Sequence, residues 1–279
     1  MRSCLIPERG GHHNGRALFL LGDSHAAAIS HGLKRAVEGF YTVVGVWRSA
    51  CGYTSDVHMQ DTKWGGGRPS QHLDVSSPNR IDDPLYRQAY FNCRFDAYIV
   101  AVQYRDAISN VLQEHLRSGD IVAVTGMYGF PVSLLEFYRD FLHPLVVSRG
   151  AKLVLIQDFP TIPALPAMCT PTRFNPGAEA TCERPYDGVV QTQGYDGEKV
   201  DLPIGALAEE FVSSRPDAFY FNQTQGLMCT STSETGVCGY VVPGTHVPAY
   251  VDQAHLNLVG SLYLWPFFCA AFRQWGLFD

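Results

Sequence analysis

The sequence has no Cys-x-x-Cys pair, no long uninterrupted apolar run, no cluster of Lys and Arg, and few charges of either sign. Charged residues make up 17% of the chain and hydrophobic ones 46%, which excludes disorder, coiled coil and collagen-like architectures. Lys and Arg total 21 against 27 Asp and Glu, a net charge of -6. No basic field exists to hold a nucleic-acid backbone or an anionic membrane surface, so neither is a partner. Without Cys-x-x-Cys spacing, a zinc ribbon or a thioredoxin-like site is excluded. His12, His13, His58, His72, His115 and His246 show no ligand spacing either. We expect no metal and no cofactor. The opening MRSCLIPERGGHHNGR contains no apolar stretch of signal-peptide length. The nearest approach to a membrane span, Leu256–Phe272, is interrupted by Asn257, Gly260 and Pro266 and reads as a buried C-terminal helix.

What is present begins with eight cysteines, at positions 4, 51, 93, 169, 182, 229, 238 and 269. Cys229 and Cys238 flank TSTSETGV, a polar stretch unable to bury itself. A disulfide there closes a loop of about ten residues and contributes roughly 2–3 kcal/mol on the chain-entropy model. Cys169 and Cys182 flank a similar Pro- and Thr-rich segment. The alternative is a set of scattered buried thiols. Asn222-Gln223-Thr224 is a glycosylation sequon, of a kind that chains this long carry by chance. The balance favours an oxidising compartment, with the chain as an extracytoplasmic domain of a longer, membrane-anchored protein.

Five short apolar runs read as buried parallel strands: Ala17–Leu21, Tyr41–Val46, Tyr98–Val102, Ile121–Thr125 and Lys152–Ile156. Ala218–Phe221 is a sixth candidate. Helix-period stretches lie between them, at Ala26–Val37, Tyr104–Leu116, Leu134–Val147 and Ile204–Val212. The alternation predicts a three-layer α/β/α sandwich around a central, mainly parallel sheet of five or six strands, with disulfide-stapled loops. Two long segments, Cys51–Pro84 and Phe159–Pro203, read as irregular. Residues 1–16 read as a flexible N-terminal segment, and 17–279 as one domain.

The informative segment is Ala17-Leu-Phe-Leu-Leu-Gly-Asp-Ser-His-Ala26, an apolar strand running through Gly22-Asp23-Ser24 straight into a helix. Ligands bind at the carboxyl edge of parallel sheets. A Ser placed there sits at a helix N-terminus, where free N–H groups favour a developing negative charge. Its hydroxyl could be a nucleophile, with its own N–H helping to hold the oxyanion. Equally, Ser24 or Asp23 could simply cap the helix. A nucleophilic Ser needs a His steered by a carboxylate. Two Asp-x-x-His sequences are present. Asp140-Phe-Leu-His143 falls inside a helix pattern and reads as a solvated face, whereas Asp252-Gln-Ala-His255 lies in a loop directly before the last helix. In one reading, Asp252 fixes the imidazole tautomer and His255 takes the Ser24 proton. In the other, Asp252 caps the last helix and His255 is a surface residue.

GDSHA at 22–26 and YVDQAHLNLVGSLYL at 250–264 together resemble the SGNH (GDSL) hydrolase superfamily. They are closest to SGNH domains of sugar and polysaccharide O-acyltransferases, often fused to a membrane acyltransferase domain. The resemblance runs from Leu18 to about Phe268. It implies Ser24 as nucleophile, His255 as base and Asp252 as orienting carboxylate. It also implies disulfides among Cys51, Cys93, Cys169, Cys182, Cys229 and Cys238, and leaves Cys4 and Cys269 open. Its oxyanion hole implies Gly52 N–H after the second strand, beside the Ser24 N–H, and an Asn after a later strand. No Gly-x-Asn follows Ile121–Thr125, where the residues are Gly126-Met-Tyr-Gly129. One lost donor costs about 10²–10³-fold in rate unless another substitutes, and Gly126 N–H is the candidate. His25 is expected to pack near the helix start, without a catalytic role.

The function implied is acyl ester chemistry through an acyl-serine, as transferase or esterase. Its partners are an acyl donor, a sugar or polysaccharide acceptor and a membrane-embedded acyltransferase domain or subunit. Tyr53, Trp64, Tyr186 and Tyr195 could stack on sugar rings or be loop core. The alternative from another class is a non-catalytic glycan-binding module on the same scaffold. A plant-type polysaccharide O-acetyltransferase ranks below both, because DQAHLNLVG lacks the Cys and Trp those carry around the His.

Overall fold

The computed structural model describes residues 15–47, 108–125, 132–160, 205–223, 236–253 and 255–279, with shorter pieces at 162, 166–169, 173, 177–178, 182–186, 189–193, 199–203 and 229–230. Strands β1 (Ala17–Gly22) and β2 (Thr42–Trp47) are joined by helix α1 (Ser24–Val37). Residues 108–115 are helical and lead into β3 (Ile121–Thr125). Helices α2 (Val132–Phe137) and α3 (His143–Ser148) are joined by a π-helical stretch, Tyr138–Leu142, so the predicted single helix carries a widened turn. Then come β4 (Lys152–Ile156) and α4 (Pro166–Cys169). Three short strands follow: β5 (Arg184–Tyr186), β6 (Val189–Gln193) and β7 (Lys199–Pro203). After them lie α5 (Ala206–Ser213), β8 (Ala218–Phe221), β9 (Cys229–Thr230) and β10 (Gly236–Cys238). The chain closes with α6 (Leu258–Tyr263) and α7 (Trp265–Gln274).

Five strands form one sheet in the order β2-β1-β3-β4-β8, every neighbouring pair parallel. The weak sixth candidate is thus an edge strand, while the predicted strand Tyr98–Val102 lies outside the described residues. Each central strand feeds two cores because alternate side chains point to opposite faces. Leu18, Leu20, Ala123, Val154 and Ile156 pack towards α1, α6 and α7. Phe19, Leu21, Val122, Val124, Leu153 and Leu155 pack towards the helical segments at 108–115, 135–146 and 208–211. That division is why the strands read as unbroken apolar runs, and it makes the three layers.

Two expectations need correcting. The C-terminal helix is two helices broken at Leu264, with Pro266 in the first turn of the second. Proline has no N–H to continue the first helix, yet its fixed φ suits a helix start. The Phe159–Pro203 segment is less irregular than it reads, for it holds α4, a β6–β7 hairpin and β5, which pairs with β10. The disulfides Cys169–Cys182 and Cys229–Cys238 are both formed, the second joining partners on adjacent antiparallel strands. Cys269 is also disulfide-bonded. Cys4, Cys51 and Cys93 lie outside the described residues.

Helix α1 is pressed against its neighbours by missing side chains. The Gly32 N–H donates to Ser261 Oγ at 3.0 Å, and a Cβ on Gly32 would fall 2.0 Å from the Ser261 carbonyl oxygen. A Cβ on Gly260 would fall 2.2 Å from the Ala249 carbonyl oxygen. Ala in place of Gly inside a helix ordinarily stabilises by roughly 0.5–1 kcal/mol. Here the neighbour is backbone and cannot swing away. Gly32→Ala is therefore expected to lower stability in chemical denaturation by about 1–3 kcal/mol, the usual cost of overpacking.

Candidate active site

The carboxyl edge of β1 delivers Gly22, Asp23 and Ser24 to the start of α1. A Cβ on Gly22 would meet the Thr125 carbonyl oxygen at 2.1 Å, so only glycine lets the chain turn this close to β3. Asp23 is the helix cap, its Oδ1 accepting from the His25 N–H at 2.8 Å. The cap is thus Asp23 and not Ser24. As the first residue of the helix, Ser24 has a backbone N–H without an intrahelical acceptor, at the positive end of the dipole.

Across from it stands His255. Its Nε2 lies 2.7 Å from Ser24 Oγ, and its Nδ1 lies 2.8 and 3.0 Å from the two oxygens of Asp252. Asp252 Oδ1 also accepts the His255 backbone N–H at 2.8 Å, which locks the carboxylate to the loop it serves. A carboxylate at Nδ1 holds the ring proton there, leaving the Nε2 lone pair to accept from the Ser24 hydroxyl. Asp252 does not cap the helix that follows; Asn257 does, its Oδ1 accepting from the Gly260 N–H at 2.9 Å. The side chains of His255 and Asp252 keep 31% and 45% of their exposure, so the site opens to solvent. Arranged in this way, the three groups can raise the nucleophilicity of Ser24 and return a proton to a leaving group.

The loop carrying Asp252 and His255 hangs from the residues after β4. Tyr250 O–H donates to the Pro160 carbonyl at 2.7 Å, and Ile162 N–H donates to the Gln253 carbonyl at 2.8 Å. Within the loop, Val251 N–H donates to the His255 carbonyl at 2.9 Å, beside a bridge between Tyr250 and Leu256. The same residues after β4 reach α1, where Asp158 Oδ1 accepts from His25 Nδ1–H at 2.7 Å. The His25 ring stacks on Phe159 at 4.9 Å and leans on His255 at 5.0 Å. As expected, His25 packs at the helix start, fully buried. Asp158 was not singled out in the sequence. The available signal was an Asp two residues past an apolar strand, in step with Val154 and Ile156 on the α1 face of the sheet.

Electrostatics single out this buried pair. Burial pushes the Asp158 carboxyl up to about 7, against the hydrogen bond and charge of His25 that favour its ionised form. For His25, burial opposes the charge, but the hydrogen bond and charge of Asp158, with the carboxylates of Asp23 and Asp252, outweigh it and raise the pKa. Asp140 and His143 are remote from all this: Asp140 is exposed and held by Arg139, and the His143 ring meets Phe211 edge-on. Gly52 and Gly126 lie outside the described residues, as do Tyr53, Trp64 and Tyr195 and the side chain of Tyr186. Among the described residues no His, Cys, Asp and Glu cluster could hold a metal ion.

Both members of the pair bind their proton more tightly folded than unfolded. Their contribution to stability is full below the ordinary carboxylate range and fades as pH rises through about 7. Thermal midpoints of wild type and Asp158→Asn, measured between about pH 5 and 8, should converge or cross with wild type losing ground as pH rises. A gap that widens with pH would contradict this.

Similarity to known proteins agrees with the fold. The family model described as "SGNH domain (fused to AT3 domains)" matches residues 2–269. Among solved structures, the periplasmic domain of a lipopolysaccharide acetyltransferase from Salmonella ser. Paratyphi A superposes with a TM-score of 0.50 at 12% identity. The match covers 94% of this chain and 84% of that one, and at such identity what it shows is a common fold. No curated protein matches the sequence. No helix among the described residues is long and apolar enough to cross a membrane. The chain belongs to the SGNH domains that occur fused to AT3 membrane acyltransferase domains, a family tied to acyl-transfer and ester chemistry.

Proposed function

We propose that this chain performs acyl, in particular acetyl, ester chemistry on carbohydrate through an acyl-serine intermediate. Ser24 is the nucleophile, His255 the base and Asp252 the carboxylate that orients it. The observation that carries this reading is the unbroken line from Asp252 through His255 to Ser24 Oγ, with contacts of 2.8 and 2.7 Å.

In the first half-reaction Ser24 Oγ attacks the acyl carbonyl as its proton passes to His255 Nε2. The imidazolium that forms is stabilised by Asp252. The tetrahedral intermediate places its negative charge near the start of α1, where the Ser24 N–H is a donor, with Gly52 and Gly126 N–H groups as the further candidates. Collapse breaks the bond to the leaving oxygen, which takes the proton from His255. In the second half, a sugar hydroxyl or water gives its proton to His255 and attacks the acyl-serine, restoring Ser24. A sugar gives transfer, and water gives hydrolysis.

The fusion of this family to AT3 domains supports a membrane-embedded acyltransferase domain or subunit as the partner that hands on the acyl group. The disulfides support an extracytoplasmic setting, as does the periplasmic origin of the Salmonella domain. We read residues 17–279 as one unit in that larger assembly.

Labelling of the oxidised chain with a fluorophosphonate probe tests the reading. Wild type should label, Ser24→Ala and His255→Ala should not, and Asp252→Asn should label about 10⁴-fold more slowly. A folded wild type that fails to label would overturn the acyl-serine. If it nevertheless bound acetylated glycan, and Ser24→Ala bound equally well, a non-catalytic glycan-binding module would replace it.

A further inference from the structure

Beneath the Ser24–His255–Asp252 line lies a second carboxylate and imidazole. The side chains of His25 and Asp158 retain 1% and 8% of their exposure, and His25 Nδ1–H donates to Asp158 Oδ1 at 2.7 Å. Asp158 is held in turn by the Phe159 N–H, which donates to the same oxygen at 2.9 Å. The other nitrogen of His25, Nε2, is buried and has no hydrogen-bond partner among the described residues. The ring is flat against Phe159, with planes 13° apart, and tilted by 55° against His255.

Such a pair is a poor device for stability. A buried ion pair rarely outdoes well-packed apolar side chains of the same volume, and an unsatisfied buried nitrogen adds to the cost. Its value must lie in what it touches, and that is the ring of His255. Among the described residues, the charged and titratable groups facing His25 are Asp23 on its own helix, Asp158 after β4, and Asp252 and His255 on the loop before α6. Every one of these except Asp158 belongs to the triad or caps its helix.

We propose that His25 and Asp158 are positioning residues for the base: their hydrogen-bonded pair fixes the His255 ring against Ser24 and supplies negative charge to offset the imidazolium that forms there. When the Ser24 proton moves to His255 Nε2, a positive charge appears on a ring whose centroid is 5.0 Å from that of His25. A lone protonated His25 would oppose that charge. The Asp158 carboxylate cancels the opposition, and when the pair holds only the Nδ1 proton it leaves a net negative charge that favours the transfer. No proton leaves the pair and no bond to substrate forms on it; both residues act through His255. The inference deepens the acyl-serine reading and rests on it.

Two measurements on the oxidised full chain test it: fluorophosphonate labelling kinetics, and titration of the histidine rings by NMR. In Asp158→Asn and His25→Phe the maximal labelling rate should fall about 10–100-fold with probe affinity unchanged, the size of loss that a misplaced catalytic group causes. The acid limb of the wild-type pH–rate profile should carry two ionisations, and that of Asp158→Asn only one. In the NMR titration, Asp158→Asn should move the His255 midpoint to lower pH, because a negative charge beside it has been removed. A labelling rate that drops only in proportion to the folded fraction, with an unmoved pH profile, would overturn the proposal. So would an unmoved His255 midpoint. Should wild type itself fail to label, the acyl-serine reading falls, while the NMR titration still decides whether the pair is coupled to His255.

Discussion

Everything at this site depends on how closely the first turn of α1 lies against the edge of the sheet. At Gly22 the chain passes so near β3 that a single methyl group would strike the Thr125 carbonyl. A few residues on, α1 is pressed onto the turn that starts α6 through Gly32 and Ser261. Helix α6 begins two residues after Leu256 and three after His255. The helix that carries Ser24 and the helix that follows His255 are therefore clamped together. Their close contact sets the 2.7 Å distance across 231 residues of sequence. A protein interior transmits a displacement of this kind with little damping, because it is packed at crystal-like density.

The second support is the segment just after β4. Through Asp158 and Phe159 it grips the start of α1, and through Pro160 and Ile162 it grips the loop that carries Asp252 and His255. One short stretch at the carboxyl edge of a central strand thus ties both halves of the site to the same rigid sheet. That fits the general behaviour of doubly wound folds, in which a fixed scaffold presents mobile chemistry at one edge. Asp252 and His255 stay partly exposed while His25 and Asp158 are buried, so charge becomes less solvated with depth.

Much of this was legible beforehand, and for a physical reason. Buried parallel strands have to be apolar on both faces, so β1, β3 and β4 stand out in the sequence within a residue of their ends. Gly-Asp-Ser directly after such a strand, and Asp-x-x-His before a final helix, named Ser24, Asp252 and His255 by residue type and order. The break at Leu264 was missed although Pro266 stands beside it, because the apolar pattern runs across it. The paired chains of Phe159–Pro203 were not, because a three-residue strand such as β5 has too few positions to show a period and draws its order from β10, about fifty residues away.

By itself, then, the sequence determined the layering, the position of the sheet edge and the identity of the groups able to do nucleophilic chemistry. These depend on local patterns of apolar and polar residues. Tertiary structure alone brought His255 to within 2.7 Å of Ser24 and laid Asp158 under His25. Both are contacts between residues over a hundred positions apart. No periodicity encodes such a contact; it exists only once the sheet has brought the carboxyl ends of β1 and β4 to the same edge.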